Sequence, residues 1–258
     1  MSLPLRPYVE ALGQALGLLT RLPLPAASWR ADRAGLALRC FPAAGLLLGL
    51  ALAALHLAAL WLWQAPLLVA AITVAGWALL TGALHLDGLA DTTDAWLGAH
   101  KAPERALRIL QDPASGPGAV VTLLLVLGLK IAALHALAPA GGASLAGALV
   151  LAVVLARTGA MGLFATLPYL RPAGLGSAMA AQASPAAIGR VAGVSVLLVI
   201  ALAGGSGGWA VLAALASTAL FALGARRWLG GFTGDLVGAQ IELTELAVLL
   251  MLALTQAH

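Results

Sequence analysis

The chain is built largely from long apolar stretches that contain almost no charged side chain. A helix needs about 20 mostly apolar residues to cross a bilayer, and seven stretches meet that requirement. They are residues 41–63, 67–86, 118–137, 144–167, 188–204, 208–224 and 236–253. The fifth and sixth are short and flank a glycine-rich segment, so they form either two crossings or one broken hairpin. Because a backbone in lipid must satisfy its own hydrogen bonds, we predict an all-α, polytopic membrane bundle of about seven transmembrane helices.

The overall composition excludes other classes of protein. Hydrophobic residues make up 62% of the 258 positions and charged residues 9%, with a mean hydropathy of +0.99. Soluble domains carry roughly 25% charged residues, and disordered chains combine low hydrophobicity with high net charge. We therefore expect one membrane-embedded domain over residues 1–258. The single cysteine, Cys40, excludes an internal disulfide.

The N-terminal segment, residues 1–40, differs from the rest of the chain. Within 5–19, Arg6 and Glu10 interrupt the apolar residues at mixed helical spacing. This pattern favours an interfacial helix that lies on the membrane, with a re-entrant segment as the alternative. Pro4, Pro7 and Glu10 interrupt the start of the chain, which lacks a basic stub followed by a clean apolar run, so we expect no cleaved signal peptide.

The basic residues alternate between the predicted connections. Connections 64–66, 138–143 and 205–207 hold no charge, whereas the others are rich in arginine and lysine. The basic side chains in the others are Arg21, Arg30, Arg33, Arg39, Lys101, Arg105, Arg108, Arg171, Arg190, Arg226 and Arg227. The positive-inside rule then places the charged connections on the cytoplasmic side of the membrane. Since topology accounts for the net charge of +4, we expect no nucleic-acid partner.

Eight of the ten acidic residues lie in two short regions, 87–112 and 235–245. Asp87, Asp91 and Asp94 fall within about 60° of one another on a helix, and no lysine or arginine lies within six residues. Three like charges on one face are stable only if a cation lies against them or if some of the acids stay protonated. Oxygen-only ligands suit Mg²⁺, with Mn²⁺ as a second option. The alternative is a solvated acidic helix end.

The segment that follows adds groups suited to phosphate. Arg105, Arg108 and Asp112 share a helical face, and Pro113 should end that helix. The next residues, Ser-Gly-Pro-Gly, lead into the third span, where backbone amides at a helix start can hold phosphate or simply form a capping turn. The candidate phosphate-binding residues here are Arg105, Arg108, Ser115 and Gly116. We expect residues 87–117 to form a cytoplasmic catalytic segment.

The last predicted span carries two acids, Glu242 and Glu245. Two carboxylates near the centre of a span cost about 5–7 kcal/mol on insertion. They should therefore face a cavity, a cation or a basic partner. Lys130 and Arg157, the two basic residues inside predicted spans, are the candidate partners.

Several motifs carry a family resemblance. The CDP-alcohol phosphotransferases also hold metal on membrane-helix aspartates, but their full aspartate pattern is absent here. A closer resemblance rests on the motifs 18–25 (LLTRLPLP), 41–46 (FPAAGL), 85–95 (HLDGLADTTDA), 108–113 (RILQDP), 167–169 (LPY) and 231–235 (GFTGD). Through these motifs the chain resembles, nearly from end to end, the cobalamin synthase (adenosylcobinamide-GDP ribazoletransferase) family.

The resemblance implies the last assembly step of adenosylcobalamin. α-Ribazole, or its 5′-phosphate, would attack the cobinamide-linked phosphoryl group of adenosylcobinamide-GDP, and GMP would leave. We assign Mg²⁺ ligation, direct or through water, to Asp87, Asp91 and Asp94, with Asp112 as a further ligand or as the base. The expected substrate or phosphate contacts are Arg105, Arg108, Arg171, Ser115, Gly116, Thr233, Asp235 and Glu242.

The clustered acidic residues are also compatible with other functions. A CDP-alcohol-phosphotransferase-like enzyme with another substrate would use the same metal chemistry, and a cation- or proton-coupled transporter would line its pathway with acids. A transporter should carry acids near the middle of several helices, whereas five of the eight clustered acids are expected at or beyond one helix end. Membrane lipid is an expected partner, and a homo-oligomer is compatible with the sequence.

Overall fold

The computed structural model describes residues 5–21, 29–99 and 101–256, and these are almost entirely helical. The helices are α1 (Leu5–Leu19), α2 (Ala34–Arg39), α3 (Phe41–Leu62), α4 (Pro66–Thr81), α5 (Leu84–Ala99), α6 (Pro103–Ile109), α7 (Pro117–Leu137), α8 (Gly142–Thr166), α9 (Leu175–Ala181), α10 (Pro185–Leu229) and α11 (Gly234–Gln256). Short 3₁₀ turns occupy Ala31–Arg33 and Ala138–Ala140. Residues 22–25 of the first family motif lie outside the described residues.

Five of the described helices are long and apolar enough to cross a membrane: α3, α7, α8, α10 and α11. The pair α4 and α5, bent by 88°, makes a sixth if it is counted as one broken span. The all-α polytopic bundle is thus confirmed, and seven was an approximate count. The difference arises because α10 contains both the fifth and the sixth predicted stretches.

Helix α10 is two arms joined at a break. A straight helix of its 45 residues would be about 68 Å long, more than twice the thickness of the hydrocarbon core. Gly204, with φ 56° and ψ −132°, is not helical and separates a first arm, 185–203, from a second arm, 205–229. Arg190 lines a cavity with Arg39, and Trp228 packs against Trp96, so both arms end near the charged connections. The broken-hairpin alternative is the one observed.

The chain also turns sharply between α4 and α5. Gly82 adopts a left-handed conformation with φ +60°, and the Ala83 N–H donates to the Ala78 carbonyl at 2.8 Å. This glycine-capped end stops α4 at Thr81, earlier than the predicted span 67–86. As a result, the three aspartates of the first acidic region all lie on the separate helix α5.

Helix α8 lies at the centre of the bundle and packs closely against α3. A Cβ on Gly45 would lie 3.1 Å from the Val153 carbonyl, and one on Gly49 would lie 2.9 Å from the Val150 Cα. These small residues let the two backbones approach, as in many membrane helix pairs. Large apolar side chains such as Leu202 and Leu79 are exposed on the outside of the bundle, where lipid would cover them.

The connections separate into two groups by charge. At the uncharged end, a Cβ on Gly142 would lie 2.9 Å from Leu60, and Ser144 shares a cavity wall with Ser206. The charged connections meet at the opposite end.

Helix α1 also lies at the charged end of the bundle. It is about 22 Å long, which is too short to cross a membrane, and it buries Ala11 and Ala15 while Val9 is exposed.

Candidate active site

The site is organised by the close crossing of α5 and α11. A Cβ on Gly88 would lie 2.6 Å from the Asp235 carbonyl oxygen, and a Cβ on Gly238 would lie 3.1 Å from the His85 Cα. Only glycine allows backbones to come this near. The crossing brings the first acidic region, on α5, against the start of the last helix.

Four carboxylates gather at this crossing. Asp87, Asp94 and Asp235 all lie close enough to Asp91 for their charges to repel it. Asp87 is exposed, whereas Asp91, Asp94 and Asp235 are partly buried. The prediction that α5 presents its aspartates on one face therefore holds, and the structure adds Asp235 to the group.

Asp94 has a structural task as well. Its Oδ2 accepts a hydrogen bond from the Gly116 N–H at 2.5 Å, and its Oδ1 accepts from the Ala119 N–H at 3.1 Å. These amides open α7, so Asp94 caps that helix from a neighbouring one and complements its dipole. Amides at this turn were predicted from the sequence to bind phosphate, but in the structure they donate to the Asp94 carboxylate.

Arg171 forms an ion pair with one member of the carboxylate group, Asp235. One of its terminal nitrogens, Nη2, donates to Asp235 Oδ2 at 2.6 Å and to the Leu110 carbonyl at 3.0 Å. Thr233 also donates to Asp235 Oδ2, at 3.0 Å. Arg171 thus joins the loop after α8, the end of α6 and the start of α11. Its role in the structure is to hold these three segments together at the site.

An aromatic cluster supports the same loops. Tyr169 and Phe232 form an isolated β-bridge, and both rings pack against Phe164. Partial burial raises the pKa of the Tyr169 phenol, so the hydroxyl stays protonated. This cluster fixes the backbone on either side of Arg171 and Asp235.

The residues predicted to bind phosphate from α6 and its flanking turn lie at the surface. Arg105 and Arg108 are exposed and form no ion pair with any side chain in the described ranges. Asp112 is exposed and accepts the Ala114 N–H at 3.0 Å, and Ser115 is exposed as well. The Arg171 contact to the Leu110 carbonyl links this segment to the carboxylate group. The guanidinium groups of Arg105 and Arg108 are free to meet a ligand.

The chemistry of the carboxylate group fits a hydrated divalent cation. In the described ranges, no three His, Cys, Asp or Glu side chains are spaced to ligate one ion directly. Four clustered carboxylates with Arg171 as their paired cation still carry excess negative charge. Mg²⁺ usually keeps several water ligands and needs only one or two carboxylates. Water-mediated binding is therefore the form that these residues suit.

Glu242 does not join the carboxylate group. It belongs to a buried ion cluster in which Lys130 Nζ lies 2.7 Å from Glu242 Oε2 and 2.5 Å from Glu245 Oε2. Arg157 forms an ion pair with the other oxygen of Glu245. The expected pairing of these acids with basic residues inside the spans is confirmed. Glu242 therefore lies in this buried cluster and not among the clustered aspartates, and its predicted contact with substrate stays a prediction.

His85 was not predicted to take part. Its Nδ1 lies 3.4 Å from Arg157 Nη2, so this nitrogen accepts from the guanidinium. The contact attaches the start of α5 to the buried ion cluster. The sequence hint that His85 takes part was its position two residues before Asp87. On a helix, however, the two side chains point in different directions. The partner of His85 lies 72 positions away.

The comparisons with known proteins decide the family. A family model described as cobalamin-5-phosphate synthase matches residues 11–253. The chain belongs to the cobalamin-5-phosphate synthase family. Three of the motifs on which the resemblance was based meet in the structure: residues 85–95 and 231–235 at the α5–α11 crossing, and residues 167–169 and 231–235 at the Tyr169–Phe232 bridge.

Curated relatives agree with this assignment. A Pseudomonas putida KT2440 protein named adenosylcobinamide-GDP ribazoletransferase is 48% identical over 242 residues, covering 93% of this chain and 97% of its own length. A Pseudomonas aeruginosa PAO1 protein of the same name is 47% identical over 255 residues, covering 97% and 100%. No solved structure matches the chain.

Proposed function

We propose that this protein transfers the adenosylcobinamide phosphoryl group from adenosylcobinamide-GDP to α-ribazole or its 5′-phosphate, with release of GMP. This is the final assembly step of cobalamin. The observation that carries the proposal is the group of carboxylates at the α5–α11 crossing. The family and the curated relatives of the chain are named after this reaction.

The reaction exchanges one phosphorus–oxygen bond for another. A hydroxyl of α-ribazole attacks the phosphorus nearer to cobinamide, the bond to the bridging oxygen breaks, and GMP leaves with that oxygen. We assign Asp87, Asp91 and Asp94 to holding Mg²⁺, and Asp112 to a further ligand position or to accepting the hydroxyl proton. When bound, Mg²⁺ would neutralise charge on the phosphate oxygens.

The arginines divide between two tasks in this proposal. Arg105 and Arg108 are exposed and without ion-pair partners in the described ranges, so they can bind the diphosphate of the donor. Arg171 is already bonded to Asp235 and Leu110, so it positions the loops and does not need to touch substrate. We place this end of the bundle in the cytoplasm, where a soluble nucleotide donor is found, because the basic connections meet there.

The acid placement favours a transferase over a transporter. The acids buried among the spans, Glu242 and Glu245, are paired with Lys130 and Arg157. The partly exposed carboxylates lie at one end of the bundle. A coupled transporter would need titratable acids that open to both sides.

The test is an assay of the purified protein with adenosylcobinamide-GDP, α-ribazole and Mg²⁺, followed by chromatography of corrinoids and GMP. We expect product only when all three are present, with loss of activity on chelation and its return when Mg²⁺ is restored. Asp91→Ala should retain the fold and lose GMP release. Asp32→Ala removes an exposed aspartate paired with Arg30 and should remain active. Full Mg²⁺-dependent release by folded Asp91→Ala would overturn the site assignment.

A further inference from the structure

A large cavity lies outside the carboxylate group, between α3, α8 and the first arm of α10. Its volume is about 950 Å³, and most of its lining is apolar. None of the residues that we assign to the reaction lines it. We call it the arginine groove, after Arg39 and Arg190, which line it at the charged end of the bundle.

The groove follows the depth of the bundle. Arg190 and Ala203 both line it and are 13 positions apart on one helical arm, a rise of about 20 Å. This exceeds the roughly 15 Å that one leaflet contributes to a hydrocarbon core of about 30 Å. Along this length the wall includes Val194 and Leu198, which are 57% and 55% exposed. The groove is therefore open to the lipid phase and long enough for an acyl chain.

The charge of the groove selects the kind of occupant. Arg39 donates through Nε to the Gly35 carbonyl, which leaves its terminal nitrogens for another acceptor. Arg190 is exposed and has no ion pair with a described side chain. No carboxylate of the described residues lines the groove. Two guanidinium groups above an apolar channel suit a phosphate, which they can bind with paired hydrogen bonds.

We propose that the arginine groove binds one anionic phospholipid, with its phosphate at Arg39 and Arg190 and an acyl chain along the first arm of α10. The charge pair, the length of the groove and its exposure to lipid all favour this occupant. A soluble nucleotide would leave the apolar channel unfilled. A zwitterionic phospholipid would fill the channel, but its headgroup cation would oppose the two arginines.

The experiment measures lipid bound to the intact protein by native mass spectrometry in a mild detergent. Phosphatidylglycerol and phosphatidylcholine with identical acyl chains are titrated separately. We expect one phosphatidylglycerol to bind in preference to phosphatidylcholine. Arg39→Gln and Arg190→Gln should each weaken phosphatidylglycerol binding about five-fold, while Arg227→Gln, an exposed arginine on the second arm, should leave it unchanged.

A second pair of variants tests the channel. Ser195→Trp places a large ring among the lining residues and should reduce binding of both lipids, whereas Leu220→Trp, exposed on the other arm, should not. Equal binding of the two lipids by the wild type would overturn the proposal, as would equal losses in Arg190→Gln and Arg227→Gln. Displacement of phosphatidylglycerol by α-ribazole 5′-phosphate would assign the groove to a soluble phosphate instead.

Discussion

Lys130 shows how strongly one buried side chain can constrain the bundle. It lies between Glu242 and Glu245 and 4.4 Å from the ring centre of Trp77, and it is 2% exposed. With Arg157 included, the cluster contains two cations and two anions. Charges buried in pairs can be replaced together at little cost, but removal of one leaves the other without compensation.

We therefore expect Lys130→Met to lower the free energy of unfolding by about 3–5 kcal/mol. Thermal unfolding of the purified protein in detergent measures the change. Lys101→Met, at an exposed lysine, is the control and should have little effect. The double variant Lys130→Met/Glu242→Gln restores charge balance and should recover part of the loss. An unchanged unfolding temperature in Lys130→Met would contradict the pairing.

Asp94 and Asp87 should respond differently to the same change. Asp94→Ala removes the acceptor of the Gly116 and Ala119 amides and should destabilise the protein by about 1–2 kcal/mol, as the loss of a helix cap does. Asp87→Ala removes an exposed carboxylate that repels Asp91, so stability should stay the same or rise slightly. Both variants should lose transfer activity. Equal unfolding temperatures for the two would show that the cap contributes nothing.

At the scale of the helix, the site depends on the distance between α5 and α11. In Gly88→Ala the new Cβ would meet the Asp235 carbonyl at 2.6 Å, so the helices must separate. We expect a cost of about 1–3 kcal/mol, as for an overpacked core, together with a large loss of GMP release. Gly128→Ala on α7 is the matched control, because no atom lies within 4 Å of its added Cβ. Normal activity in Gly88→Ala would show that the crossing does not position the carboxylates.

The helices themselves were largely predictable from sequence, since apolar length alone identifies a span. The stretch around Gly204 could be interpreted as two crossings or one broken hairpin, and the structure shows a break at Gly204 with both arms ending near the charged connections. The end of α4 was misplaced by several residues. The apolar pattern continues through Leu84 and Leu86, and only the left-handed turn at Gly82 and Ala83 interrupts the helix.

The site was predictable where its residues are close in sequence. Helical spacing placed Asp87, Asp91 and Asp94 together, and the cost of burying Glu245 predicted a basic partner. Spacing could not show that Arg171 bonds Asp235, because these residues are 64 positions apart and meet only through the folded loops. Nor could it show that Asp94 would cap α7. Such contacts depend on how the helices pack against one another. The helical periodicity of a single sequence does not show that packing.

Across the whole molecule, the two ends of the bundle differ in charge and in the sites that they hold. The charged connections, the carboxylate group and the two arginines of the groove share one end, and the uncharged connections share the other. The positive-inside rule assigns the first end to the cytoplasm. With the charged end in the cytoplasm, the donor nucleotide and the released GMP stay on the side where nucleotides are made. A reversed orientation would require their export.

Cysteine labelling in cells tests this orientation. Cys40 is first replaced by Ser, and single cysteines are then placed at exposed positions of each end, such as Gln64 and Arg227. A membrane-impermeant maleimide should label Gln64→Cys in intact spheroplasts and should label Arg227→Cys only after permeabilisation. The opposite pattern would place the carboxylate group outside the cell. In that case the basic connections would lie outside the cell, contrary to the positive-inside rule. Their arginines would then serve the carboxylate group and the arginine groove and would not set the topology.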